Sequence, residues 1–190
     1  MESTQHTITI IDLHPANEPA IQQVAQLLIN GFAHSPGAWK DMEAALAEVH
    51  ESFGPDKISR VAINEQKLVL GWIAGYSAYG GNVWELHPLV VNVAHQGQGI
   101  GRELVLDFEE LVKERGALTI TLGTDDEAYQ TTLSGIDLYP NVWEHIANIR
   151  NLRQHPYEFY QKLGYVIIGV IPDANGPGKP DILMAKSIAT

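Results

Sequence analysis

The chain reads as one mixed α/β domain, and three observations carry that reading. Apolar, β-branched runs and stripes of helical period follow one another along all 190 residues. One run, Leu89-Val90-Val91-Asn92-Val93, feeds a glycine-rich turn, Gln96-Gly97-Gln98-Gly99-Ile100-Gly101, and a helix pattern begins near Arg102. No internal repeat, low-complexity tract or linker interrupts the order, and the length suffices for one buried core.

Taken in order, Thr7 to Leu13 forms a short strand. Asn17 then offers a side-chain oxygen as N-cap, and Pro19 suits a first helical turn. Ile21, Val24, Leu28 and Phe32 make one helical stripe. Ser35-Pro36-Gly37 breaks it, and Trp39, Met42, Leu46, Val49 and Phe53 make a second stripe that Gly54-Pro55 ends. Strands follow at 58–64 and 67–78 around a hairpin at Glu65-Gln66, and Gly80-Gly81-Asn82 turns into the long apolar strand. The next helix puts Ile100, Leu104, Phe108, Leu111 and Val112 on one face, and Gly116 caps its end. A strand at 118–122, a short helix at 157–163 closed by Gly164, and strands at 165–171 and 182–188 complete the order.

The stretch 123–155 is long for a connection, and such loops in compact domains are functional or disordered. Tyr129, Tyr139 and Trp143 make it too aromatic for simple disorder. Asp125, Asp126, Glu127, Asp137 and Glu144 accompany them. Aromatic faces beside carboxylates suit a cationic, hydroxylated ligand, and equally a solvated insertion with a small core of its own.

Composition excludes several classes. There is no cysteine, hence no disulfide, thiolate metal site or cysteine nucleophile. The polar start, Met1 to His6, lacks a basic segment followed by an apolar one, and no stretch reaches membrane-spanning length, so a cytoplasmic protein off the membrane is expected. A net charge of −11 argues against a nucleic-acid groove and favours a cationic small molecule. None of the eight histidines falls in a helical i, i+4 pair around a glutamate, so no metal is expected.

The glycine turn carries the chemistry. A strand, a turn and a helix start let backbone N–H groups converge on an anion, and glycine lets a phosphate approach the main chain. The dinucleotide pattern G-x-G-x-x-G fails because its third glycine position is Arg102. The phosphate-loop pattern fails because no Lys-Ser or Lys-Thr pair follows. Q/R-x-x-G-x-G/A is met by Gln96, Gly99 and Gly101, and with the preceding strand it resembles the acetyl-CoA signature of the GNAT N-acetyltransferase superfamily. The resemblance runs from about Ile10 to Ile188 and includes Glu158-Phe159-Tyr160-Gln161-Lys162-Leu163-Gly164-Tyr165. Trp84 to Val91 and Leu138 to Trp143 are similar to the group described as aminoglycoside 6'-N-acetyltransferases.

That resemblance implies a single GNAT acyl-CoA N-acyltransferase domain over residues 1–190, with an insertion at about 123–155. It implies a central mixed sheet of about six to seven strands flanked by helices. It also implies acetyl-CoA as cosubstrate and direct attack by a small primary amine in a ternary complex. An aminoglycoside 6'-amine is the sharpest instance of the acceptor; polyamine, amino-acid and peptide amines stay open. Homodimers are common among similar proteins, and no pattern in this chain decides the matter.

An alkyl amine with a pKa near ~10.4 must lose a proton before it attacks. The resemblance places a base at Glu85; His87, two residues on, and Asp125 are the alternatives. Tyr160 matches the position of a tyrosine general acid, which would protonate the leaving thiolate. Family members often carry Asn seven residues earlier, where this chain has Arg153 with Asn151 nearby. The backbone of Leu89, Val90 and Val91 would pair with the pantetheine, and Gln96, Gly97, Gln98, Gly99, Ile100, Gly101 and Arg102 would hold the pyrophosphate. The acceptor mouth would combine the junction from His34 to Trp39, Glu85, Asp125 and Trp143. Two rivals remain: an acyl-CoA-binding sensor without turnover, and a partner-binding domain.

Overall fold

A computed structural model describes residues 8–33, 35 and 37–189. Thr7, His34 and Pro36, which enter the expected first strand and helix junction, lie outside the described residues. The chain forms two compact units, 1–34 with 38–117, and 35–37 with 118–190. Among the described residues there are seven strands and five α-helices.

In the first unit, β1 (Thr9–Asp12), β2 (Lys57–Ile63), β3 (Val69–Ala78) and β4 (Val83–Val91) make an antiparallel sheet in that order. Helix α1 (Glu18–Gly31) starts where the Asn17 carboxamide accepts the Ala20 N–H, with Pro19 in its first turn. Helix α2 (Met42–Glu51) starts at Asp41, whose side chain accepts the Ala44 N–H. Trp39 therefore precedes α2 rather than opening its stripe. Ile21, Val24, Leu28, Val49, Trp72 and Val90 are buried together in the core that α1 and α2 share with the sheet.

Helix α3 (Ile100–Glu114) packs against β2, β3 and β4. It begins at Ile100, two residues before the expected start, because Gly99 already occupies the left-handed region at φ 89°. Ile100, Leu104, Phe108 and Val112 are buried as their spacing required. Gly71 and Gly75 let the helix seat. A Cβ on Gly71 would lie 2.9 Å from Leu104 Cδ1, and one on Gly75 would lie 2.4 Å from Phe108 Cζ. A half-buried Arg60 on β2 grips Asp107 of α3 through Nε and Nη2, at 2.8 and 3.0 Å.

The second unit holds β5 (Thr119–Asp125), β7 (Asp181–Ser187) and β6 (Val166–Ile171), antiparallel in that order. Strand β5 runs three residues past the expected end at Leu122, so Asp125 is its last residue. Helices α4 (Val142–Ala147) and α5 (Tyr157–Lys162) complete it. The long connection is an ordered loop. The buried Asp126 carboxylate accepts the Gln130 and Thr131 N–H groups at 2.7 Å each, and the Ser134 hydroxyl as well. Leu133 and Leu138 are buried beneath it, and Thr131 bridges to Asn151.

Candidate active site

The geometry of β4 starts from a bulge. Ile73 pairs with Leu89 and Gly75 with Leu86, so β4 holds one residue more than β3 across His87-Pro88. Parity changes there. Before the bulge, Glu85 stands opposite Tyr76, whereas Trp84 meets Phe108 of α3. After it, Val90 joins the core beneath α1. The bulge residue His87 lies toward α2: its Nε2 is 3.8 Å from Glu48 Oε1, and its ring is 6.2 Å from that of Trp39.

Around these residues lies a hollow of about 190 Å³, lined by Glu48, Glu51, Lys57, Tyr76 and His87 among others. The Trp39 indole N–H donates to Glu48 Oε2 at 3.2 Å. The Tyr76 hydroxyl donates to the Glu85 carboxylate; burial first, then that carboxylate, pushes the phenol up to about 12. Glu48 and Glu51 thus share the hollow with the Tyr76 ring, the His87 imidazole and the Lys57 ammonium, which sits 5.7 Å from the Tyr76 ring centre; Trp39 and Glu85 adjoin it through their bonds to Glu48 and Tyr76. Such a hollow attracts a cation. Trp39, Glu85 and His87 were legible candidates, whereas Glu48 and Tyr76 were not. Glu48 lies on the polar side of a helical stripe, and Tyr76 within an apolar strand, so neither stands out by spacing.

At the far end of β4, the Asn92 N–H donates to the Leu70 carbonyl at 2.8 Å. Bonded positions alternate in an antiparallel pair, so Val90, opposite Trp72, also spends its backbone groups on β3. Leu89 and Val91 direct theirs the other way. Consistently, the Gln96 side chain reaches the Val91 carbonyl at 3.2 Å. Two of the three residues expected to meet pantetheine therefore have suitably aimed groups, and Val90 does not.

The loop that follows is built for an anion. Gly97 and Gly99 take φ of 74° and 89°, and a Cβ on either would meet nothing within 4 Å. Conformation, not space, requires glycine there. Helix α3 starts with no side-chain cap, leaving the first-turn N–H groups of Ile100, Gly101 and Arg102 without an intrahelical acceptor. His95 Nδ1, at the base of the loop, is buried with no partner among the described residues. Arg102 is exposed and paired with Glu103 at 2.9 Å. These features fit a pyrophosphate.

In the second unit, Tyr160 is buried on α5, and its phenol is raised above its ordinary value by burial alone. It stays protonated, as an acid must. Asp125 is exposed and accepts from the Asn175 side chain at 2.5 Å. Asn151 holds the backbone of His155 with both ends of its carboxamide, at 2.8 and 2.9 Å, so it has a structural use. Arg153 lines a separate surface hollow with Gln154 and Glu158. Trp143, which could have packed by its spacing with Ile146 and Ile149, is 71% exposed on α4.

An α/β chain with a glycine loop at the head of an uncapped helix and an acidic, aromatic hollow suits a group-transfer enzyme working on a phosphate-bearing cosubstrate. The model of the acetyltransferase (GNAT) family matches residues 25–133, and the chain belongs to that family: it is an acetyl-CoA-dependent N-acetyltransferase. A crystal structure of an aminoglycoside 6'-N-acetyltransferase complexed with coenzyme A is 42% identical, with a TM-score of 0.88 over 96% of this chain and 98% of that one. The aminoglycoside 6'-N-acetyltransferase from Enterococcus faecium is also 42% identical over the same shares, with a TM-score of 0.85. An aminoglycoside 6'-acetyltransferase type Ii is 36% identical, again over 96% and 98%, with a TM-score of 0.73. No curated protein matches the chain. The sensor reading is not favoured. No helix among the described residues is long and apolar enough to cross a membrane.

Proposed function

We propose that the protein acetylates a primary amine of a small polycationic acceptor, specifically the 6'-amine of an aminoglycoside. The observation that carries this is the hollow lined by Glu48, Glu51, Tyr76 and His87, with Trp39 bonded to Glu48 and Glu85 bonded to Tyr76 at its edge. The identity to aminoglycoside 6'-N-acetyltransferases supports the same acceptor. Acetyl-CoA supplies the activated acyl thioester. Glu85, held by the Tyr76 hydroxyl, accepts the ammonium proton, and His87 is the alternative acceptor at the same hollow. Glu48, fixed by Trp39, holds a positive charge of the acceptor. The backbone of Leu89 and Val91 pairs with the pantetheine, and the N–H groups from Gly97 to Arg102 receive the pyrophosphate. Tyr160 gives its phenolic proton to the departing sulfur. Asp125 and Trp143 extend acceptor contacts into the insertion. The protein works in the cytoplasm.

Thiol release from acetyl-CoA with kanamycin, against an acceptor-free control and a panel of polyamines and amino acids, tests this. Kanamycin-dependent release with one acetyl group added at the 6'-amine is the expected result. Release only with another amine keeps the enzyme class and removes the antibiotic.

A further inference from the structure

Helix α5 has six residues, too few to persist without outside support, yet it carries Tyr160. Both of its ends are tied. At the end, Gly164 takes φ 92°, its N–H donates to the Gln161 carbonyl at 3.0 Å, and the Tyr165 N–H donates to the Tyr160 carbonyl at 3.1 Å. The rings of Tyr160 and Tyr165 meet edge to face at 5.7 Å, which completes a glycine-closed helix end. At the start, Pro156 offers no side-chain acceptor.

His155 fills that gap. Its Nδ1 accepts the Tyr157 N–H at 3.2 Å, so Nδ1 carries no proton. The proton therefore sits on Nε2, which donates to the Asp125 carbonyl at 3.1 Å. Asn151 brackets the same residue through its backbone. The imidazole is 2% exposed and lies against the Tyr157 ring. We propose that His155 is a positioning residue for Tyr160: a buried imidazole, locked in one tautomer, that ties the first turn of α5 to the last residue of β5. The inference rests on the acid role given to Tyr160 above.

The link has a built-in requirement for the neutral ring. Protonating Nδ1 would set its N–H against the Tyr157 N–H, two donors face to face. The ionisable groups around it are Asp125 and Asp126 at the end of β5, with Tyr157 on α5 and Glu158 beside it. Burial lowers the imidazole's affinity for a proton, and the Asp125 carbonyl and both aspartates oppose that only in part.

Two substitutions divide the bridge. His155→Asn keeps an acceptor near the Nδ1 position and loses reach to Asp125; His155→Gln keeps a donor near the Nε2 position and loses the acceptor. With kanamycin or whichever panel amine gives turnover, each should lower kcat about tenfold or more while KM for acetyl-CoA stays within about twofold. In a Tyr160→Phe background the same changes should cost less than about twofold, because their effect runs through that phenol. If Tyr160→Phe is slow but the His155 losses multiply in full, positioning is overturned and the acid stands. If Tyr160→Phe matches wild type, the acid reading fails and the inference falls with it. Nitrogen-15 spectra of wild-type protein serve where a variant fails to fold: an Nε2–H tautomer at His155 is expected, and an Nδ1–H tautomer would refute the bridge.

Discussion

Gly75→Ala is the sharpest test of how α3 and β4 are seated together. The added methyl would lie 2.4 and 2.6 Å from Phe108 Cζ and Cε2, and 2.5 Å from the Glu85 carbonyl oxygen. All three distances fall about 0.9 Å or more short of the roughly 3.5–4.0 Å of an ordinary contact. A ring can tilt, but the carbonyl belongs to the backbone of β4 and moves only with its strand. Overpacking of this kind costs about 1–3 kcal/mol. For a chain of this size each kcal/mol lowers Tm by about 2–4 °C, so a fall of about 2–12 °C is expected. A shift at Glu85 also displaces the proposed base, and a misplacement near 1 Å costs about a hundredfold in rate. Thermal melting and steady-state kinetics read the two effects separately. Phe108→Leu added to Gly75→Ala should recover part of the Tm and little of the kcat, since only the ring clash is relieved. A Gly75→Ala protein with wild-type Tm and kcat would refute this account of the packing.

Other outcomes follow from single features. Gly97→Ala or Gly99→Ala should weaken acetyl-CoA binding about tenfold in calorimetry, since a left-handed residue with a side chain costs about 1–2 kcal/mol. Tyr76→Phe removes the donor to Glu85 and should lower kcat/KM severalfold, with stability changed by about 1 kcal/mol in denaturant melts. The Tyr76 phenol, raised to about 12, favours folding fully below its ordinary value near ~10 and loses that contribution as pH rises through 12; melts from pH 9 upward should show the decline. Asp126 works in the opposite direction. Burial raises its pKa, but the Gln130, Ser134 and Thr131 bonds outweigh burial and hold it below the usual carboxylate range. Its contribution is present above about pH 4 and is lost as pH falls through the depressed value, and Asp126→Ala should cost about 3 kcal/mol by stranding those donors.

What the sequence showed follows from how each feature is encoded. Asn17, Pro19, Gly116 and Gly164 act on their own neighbours, so caps and stops could be read directly. The stripe Ile100, Leu104, Phe108 and Val112 is periodic, and its burial followed. The glycine loop announced itself because left-handed backbone selects glycine. The bulge at His87-Pro88 left no such mark, since it exists only in the pairing of β4 with β3. Nor does the sequence say which edge of β4 meets β3, so Val90 seemed equivalent to Leu89 and Val91, although its groups are committed to the sheet. Glu48 was hidden for a related reason: a glutamate on a helix's polar side looks like solvated surface until Trp39 and His87 fold over it. Gly71 and Gly75 were legible in principle, because glycine inside a strand marks a close approach; their four-residue spacing matches the rows of α3 that they admit.

The extra residue in β4 gives one strand two independent addresses. Its first half presents side chains to the acidic hollow, while its second half, after the change of parity, presents backbone beside the glycine loop. Under the proposed roles, substitutions at 83–87 can retune the acceptor without disturbing the register that receives the cosubstrate. Deleting one residue at the bulge would act like a frameshift in space. Either Glu85 would turn over toward α3 or Val90 would leave the core beneath α1, so neither half could keep its partner.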